Sequence, residues 1–200
     1  MTTHVWYASY GSNLSPQRFD CYVSGGRPEG ARRTYTGCRD TTMPTGCRPT
    51  QLPGRVLFGA ESSVWGGGMA FYDPQGEGPS LATAYRLTLE QFADVWFQER
   101  HLPVGGALPL DRTIAAGEWV GGTGLYDRVL VAGSIEREPV LTFTFPASVQ
   151  VAEQPPSPAY AATIERGLIA THGLSREEAA AYIARLVSGR TPDGAYGAAR

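Results

Sequence analysis

A strand that stops on three turn residues and restarts as a helix is the feature that most constrains this chain. Residues 4–10 are rich in β-branched and aromatic side chains (Val5, Trp6, Tyr7, Tyr10), which suits a buried strand. Gly11-Ser12-Asn13 follows, and all three favour turns or caps. Ser15-Pro16 then reads as an N-cap and first helical position, opening a short helix through Arg18, Phe19, Tyr22 and Val23 that Gly25-Gly26-Arg27-Pro28 ends. A turn placed ahead of a helix N-terminus can present a concave set of amide donors to a carboxylate, a phosphate or a developing oxyanion. An ordinary capped turn has the same pattern, and the residues alone leave both readings open. Ser12 is a poor nucleophile candidate, since it lacks a GxSxG surround and has no histidine close in sequence.

Downstream, turns dominate. The 200 residues include 25 glycines and 15 prolines, well above the roughly 12% of average usage for the two together. Four Trp, ten Tyr and seven Phe still supply a core, so disorder is a poor alternative. Residues 32–81 read as irregular, with short strands at 55–61 and 68–72, and 81–87 reads as another strand. Thr88 and Gln91 form a weak capping box for a helix with apolar positions Leu89, Phe92, Val95 and Trp96 that runs to Glu99. Residues 101–124 read as a long glycine-rich loop. Strands are expected at 125–132 and 139–145, connected through 132–138, then a rigid turn at 153–158. Two helices follow at 159–171 and 175–187, the second with a clear capping box between Ser175 and Glu178. This order predicts an α+β fold, a single curled mixed β-sheet or small barrel with flanking helices. Residues 1–188 read as one domain and 189–200 as a flexible tail.

Composition removes several function classes. Seventeen Lys and Arg against nineteen Asp and Glu give a net charge of −2, so no basic field draws the chain to nucleic acid or anionic lipid. No stretch approaches the roughly 20 apolar residues of a membrane span, and the first residues lack the basic and apolar regions of a signal peptide. Cys21, Cys38 and Cys47 are odd in number with no CxxC pair, so a cytoplasmic setting is expected. His4, His101 and His172 show no HxxxH or HxH metal-ligand spacing, which leaves a zinc-dependent deacetylase or protease with little support. With neither GxGxxG nor GxxxxGK present, no nucleotide or other cofactor is expected. Arg27, Arg32, Arg33, Arg39 and Arg48 could meet an acidic substrate or simply be solvated. Glu99, beside Gln98 and Arg100, reads either as a solvated helix-end acid paired with Arg100 or Arg112, or as a general base. Glu90, in the first helical turn, suits the helix dipole.

Tyr10-Gly11-Ser12-Asn13-Leu14 resembles the YGSNL loop that marks the γ-glutamylcyclotransferase-like family, and it follows an N-terminal strand as it does there. Further matches come in the same order. Trp65-Gly66-Gly67-Gly68 resembles the glycine-containing segment before the family's central strand, and Tyr85-Arg86-Leu87 followed by Glu99 resembles the stretch that ends in the catalytic glutamate. Gly124-Leu125-Tyr126 resembles the Gly-x-Tyr entry to the next strand, and Pro156-Ser157-Pro158-Ala159-Tyr160 with Ile164 and Gly167 resembles the late PSPxY turn and helix. The resemblance spans residues 5–187. It implies cyclisation of a γ-glutamyl group to 5-oxoproline with release of an amine or amino acid, without metal or cofactor. Glu99 would be the general acid/base, and Tyr10, Gly11, Ser12, Asn13, Leu14, Tyr126 and Tyr160 would bind a small γ-glutamyl substrate. Two departures stand beside the expected pocket: Arg100 where the family often has glycine, and an insertion-like stretch at 101–123. They motivate the alternative of a non-catalytic γ-glutamyl or carboxylate-binding module, and a homodimer is left open.

Overall fold

The computed structural model describes residues 3–29 and 31–189. Its central strand, β1 (His4–Ser9), is buried from Val5 onward. The strand separates two cores: Trp6, Ala8 and Tyr10 enter one, while Val5 and Tyr7 enter the other beside Phe19, Tyr22, Phe92 and Phe143. Burial on both faces explains why the segment reads as an unbroken apolar run and not as an alternation. A single 3-10 turn (Ser12–Leu14) leads into α1 (Pro16–Ser24), whose N-cap Ser15 accepts a hydrogen bond from the Arg18 amide.

The remaining elements are β2 (Cys47–Leu52), β3 (Arg55–Gly59), β4 (Met69–Asp73), β5 (Ser80–Thr88), α2 (Leu89–Glu99), α3 (Leu110–Ala116), β6 (Glu118–Val120), β7 (Arg128–Ile135), β8 (Glu138–Thr144), α4 (Pro158–His172) and α5 (Arg176–Ser188). Six strands form one mixed sheet in the order β2-β5-β1-β8-β7-β6. Only the β1–β8 pair is parallel, with Tyr7 opposite Leu141. β3 and β4 make a separate antiparallel ribbon, which Thr144 ties to the end of β8. The Thr144 hydroxyl accepts the Tyr72 amide at 3.1 Å and donates to the Tyr72 carbonyl at 2.7 Å. The architecture is the expected α+β fold, a curled mixed sheet with flanking helices.

Four local expectations are corrected. β2, expected as irregular chain, is an edge strand paired with β5, exposed apart from half-buried Thr50 and buried Leu52, and an edge tolerates Pro49. Residues 101–124 are not all loop, since they hold α3 and β6. β7 begins only at Arg128, because the Asp127 side chain accepts the Gly124 amide and folds the preceding residues into a turn. The β7–β8 connection is just Glu136 and Arg137, both left-handed at φ 52° and 68°, as a two-residue hairpin requires. Of the tail expected at 189–200, Gly189 caps α5 in the left-handed conformation, and the rest lies outside the described residues. Among the described residues no helix is long and apolar enough to cross a membrane.

Candidate active site

The loop after β1 is held by its backbone. Tyr85 of β5 donates its hydroxyl hydrogen to the Asn13 carbonyl at 2.7 Å, and the Thr83 and Thr171 hydroxyls donate to the Leu14 carbonyl at 3.0 and 3.3 Å. The Leu14 amide closes the turn on the Gly11 carbonyl at 3.0 Å, and its side chain is fully buried. Leu14 therefore anchors the loop from below and offers no donor to a ligand. Gly167 lets α4 lie directly on this anchor: a Cβ there would come within 2.5 Å of the Leu14 carbonyl carbon and the Ser15 nitrogen.

The end of α2 is fixed as firmly. Thr88 and Gln91 form the reciprocal capping box at its start. Near its other end the Trp96 indole donates to the Tyr126 carbonyl at 2.8 Å. The Gln98 amide donates to the Tyr22 carbonyl at 2.9 Å and accepts the Gly37 amide at 3.0 Å. The next residue, Glu99, turns into a narrow, half-open cleft of about 310 Å³ when the solvent space at its mouth is counted. β1 and its loop contribute Tyr7, Ser9, Tyr10, Gly11, Ser12 and Asn13 to the lining; Ala70, Tyr126, Phe143 and Tyr160 form the rest. Asn13 Nδ2 donates to Glu99 Oε1 at 3.0 Å, joining loop and helix end across the cleft. Asn13 Oδ1 is buried and has no hydrogen-bond partner among the described residues.

Burial pushes the Glu99 carboxyl above the usual carboxylate range, opposed first by Arg18 and then by the Tyr22 hydroxyl, Asn13 and Arg33. Arg100 does not face Glu99. Its Nε lies 2.5 Å from Asp127 Oδ1 and its guanidinium stacks over Trp96, so it braces the turn that presents Tyr126. Neither reading that pairs Glu99 with Arg100 or Arg112 describes this carboxyl, and residues 101–124 contribute nothing to the cleft lining.

The tyrosines divide by what their hydroxyls do. Tyr10 donates to the Phe143 carbonyl at 2.7 Å, and Tyr126 donates to the Ala70 carbonyl at 3.1 Å. Tyr160 accepts the Ala70 amide at 3.3 Å, which leaves its own proton free for a ligand. Tyr7 and Ser9 line the cleft too but carried no motif; their place on the cleft side of β1 becomes visible only once the strand is seen buried on both faces. Arg18, which reads in sequence as one helical cation among many, is the other residue sequence reasoning missed: it is buried on α1, with its Nη2 on the Tyr35 hydroxyl at 2.9 Å, and its charge acts on Glu99. Among the described residues no three His, Cys, Asp or Glu side chains gather as a metal site would need.

Two solved structures share this architecture. An uncharacterized protein from Homo sapiens superimposes with a TM-score of 0.56 at 16% identity, covering 98% of this chain and 94% of that one. A γ-glutamyl cyclotransferase does so with a TM-score of 0.53 at 16% identity, covering 98% and 92%. The chain adopts a γ-glutamyl cyclotransferase-like fold. In sequence it is 38% identical over 204 residues to histone deacetylase 5 of Arabidopsis thaliana, an alignment that takes in 92% of this chain. The chain spans only 31% of that protein's length, so the name describes a much longer molecule. No family model matches the chain.

Proposed function

We propose that this chain is a γ-glutamylcyclotransferase-like enzyme that converts a γ-glutamyl amine, amino acid or peptide to 5-oxoproline and the free amine. The observation that carries this reading is the Asn13–Glu99 hydrogen bond of 3.0 Å inside a cleft of this fold. The substrate's α-amine is its own nucleophile. It attacks the γ-carbonyl carbon, a C–N bond closes the five-membered lactam, and the bond to the departing nitrogen breaks. The chain therefore has to fold the substrate into an attacking conformation, which is worth up to ~7–11 kcal/mol of the barrier, and to carry protons from the attacking nitrogen to the departing one.

Glu99 is suited to that transfer. The substrate amine arrives as an ammonium and attacks only after losing a proton to a base. A carboxylate whose pKa burial has raised accepts that proton more readily than a solvated one, can return it to the leaving nitrogen, and then takes the second proton that the ring nitrogen sheds and passes it to solvent. Asn13 Oδ1 is an unused buried acceptor next to Glu99 and suits the substrate ammonium. Gly11, Ser12 and Asn13 line the cleft with Tyr160, and in this reading their amides and the Tyr160 hydroxyl are the donors that would meet the substrate's carboxylate or the oxyanion.

A panel of γ-glutamyl amines, amino acids and dipeptides, assayed for 5-oxoproline, tests the proposal. Turnover of at least one member is expected, with Glu99→Gln slower by about 10²–10⁴-fold and still folded. Calorimetric binding without product across the panel would instead identify a non-catalytic binding module.

A further inference from the structure

Arg18 is a buried cation in an aromatic cage. It is 5% exposed, and its guanidinium carbon lies 5.2, 5.1 and 5.3 Å from the ring centroids of Tyr22, Tyr35 and Trp65. Its Nη2 is anchored on the Tyr35 hydroxyl, while Nε and Nη1 have no hydrogen-bond partner among the described residues. None of the ion pairs among those residues includes it. Burying a guanidinium without a contacting anion is strongly unfavourable unless a negative charge compensates it through the low-dielectric interior. π-Faces supply part of that compensation. Glu29, beside Arg18 at a surface cavity, is exposed and screened; Glu99, buried at the end of the helix on which α1 packs, supplies the rest.

The helices that carry the two side chains, α1 and α2, pack on each other. Arg18 stands one helical turn before Tyr22 on α1, and the Tyr22 carbonyl receives the Gln98 side-chain amide, which clamps this stretch of α1 to the residue next to Glu99. The geometry points to Arg18 as a positioning residue, a caged counter-charge set behind the cleft that keeps Glu99 available as a carboxylate. This rests on the reading of Glu99 as the general base. A guanidinium in direct contact would occupy the carboxylate's lone pairs and depress its basicity. Held back by its cage, the cation offsets part of the burial cost and leaves the oxygens to Asn13 and the substrate. The caging needs the flat guanidinium, which stacks on three rings as an ammonium would not.

The other groups that face Glu99 do not supply this charge as well. Arg33, half-buried on the loop before Tyr35, is a second and weaker cation. Tyr7, Tyr10, Tyr126 and Tyr160 form the opposite walls, and burial raises the pKa of each, so they remain neutral. His101, just beyond α2, is held toward its neutral form by burial and by Arg33.

The test follows the Glu99 carboxyl carbon by 13C NMR across a pH titration, its signal assigned by loss in E99Q, in the full chain and in R18M and R18K. In R18M the titration is expected to move up by about one pH unit. Where a substrate is turned over, the acid limb of kcat/KM should move with it, a roughly tenfold loss of turnover on that limb that recovers above it, with KM little changed. R18K, which keeps the charge but not the stacking, should shift less. A folded R18M with the wild-type Glu99 titration overturns the inference. Should R18M fail to fold, Y35F, which removes the anchor on Nη2 and keeps the ring, takes its place with R18K. A small upward shift in both supports the inference, and no shift in either overturns it. A chain that turns over no γ-glutamyl compound rejects the enzymatic reading, while the NMR titration still decides whether Arg18 sets the charge of Glu99.

Discussion

As the proposed general base, Glu99 is under two opposed demands: its carboxyl has to ionise for that role, and its burial penalises ionisation. Because the folded-state pKa is raised, the residue weighs on stability above the ordinary carboxylate range and not below it. Glu99→Gln should therefore melt higher than the parent at pH 7, with the gap closing as pH falls through the carboxylate range; a gain of about 1 kcal/mol reads as roughly 2–4 °C in a chain of this length. Equal melting temperatures at both pH values would show that Glu99 is not strained by burial. For the same reason, catalysis should fall away on acidification at a pH above that of an ordinary carboxylate, which a kcat/KM profile measures. At this scale the sequence was partly legible. The loop from Tyr10 to Asn13, Glu99 and Tyr160 carry motifs, and the structure gathers them around one cleft. Arg18 and Tyr7 carry none. An arginine in a short helix and a tyrosine in an apolar strand look ordinary until distant rings and walls are folded against them.

Elements turn those residues into a site by bracing it from behind. Gly167 is where α4 meets the loop after β1, so Gly167→Ala must push Leu14 and Ser15 or tilt the helix. Overpacking of this kind costs about 1–3 kcal/mol, and turnover should suffer more than the lost stability explains, since the displaced segment continues directly from the Gly11–Asn13 turn that lines the cleft. Melting and activity measured on the same preparation separate the two. Arg100 braces the opposite wall through Asp127, whose side chain is almost wholly buried. Arg100→Ala leaves that acid without its cation and should destabilise by up to about 3–5 kcal/mol, and adding Asp127→Asn should restore much of the loss in thermal melts. The elements best read in advance were those with local punctuation, the capped helices α1, α2, α4 and α5. β2 and α3 escaped because neither announces itself: the first is a polar edge strand containing proline, and the second has seven residues and no side-chain N-cap. What stabilises both lies elsewhere in the chain.

Across the whole molecule, the last two helices lock the sheet from far along the sequence. The Tyr182 hydroxyl of α5 accepts the Leu81 amide of β5 at 2.9 Å. Tyr182→Phe leaves that buried amide without its acceptor and should cost about 1–3 kcal/mol, read in denaturant melts, with turnover of the folded enzyme unchanged. His172, at the end of α4, meets the Ala82 carbonyl at 3.0 Å, and burial lowers its pKa. The dipole at a helix C-terminus favours a charged histidine, but here burial prevails. Its neutral form stabilises the fold at and above the ordinary imidazole range, and that contribution is lost as pH falls through the lowered folded value. A stability-against-pH curve should be flatter below about pH 6.5 for His172→Gln than for the parent.

One peptide in β4 shows what this bracing does to selectivity. The two phenols that grip opposite ends of Ala70 hold the hairpin as a fixed jamb, and Thr144 bolts it to the main sheet. An entrance framed in this way does not widen to suit a bulkier guest. If the proposed reaction takes place there, tolerance for different leaving groups falls to the side chains at its threshold and not to any give in the frame behind them.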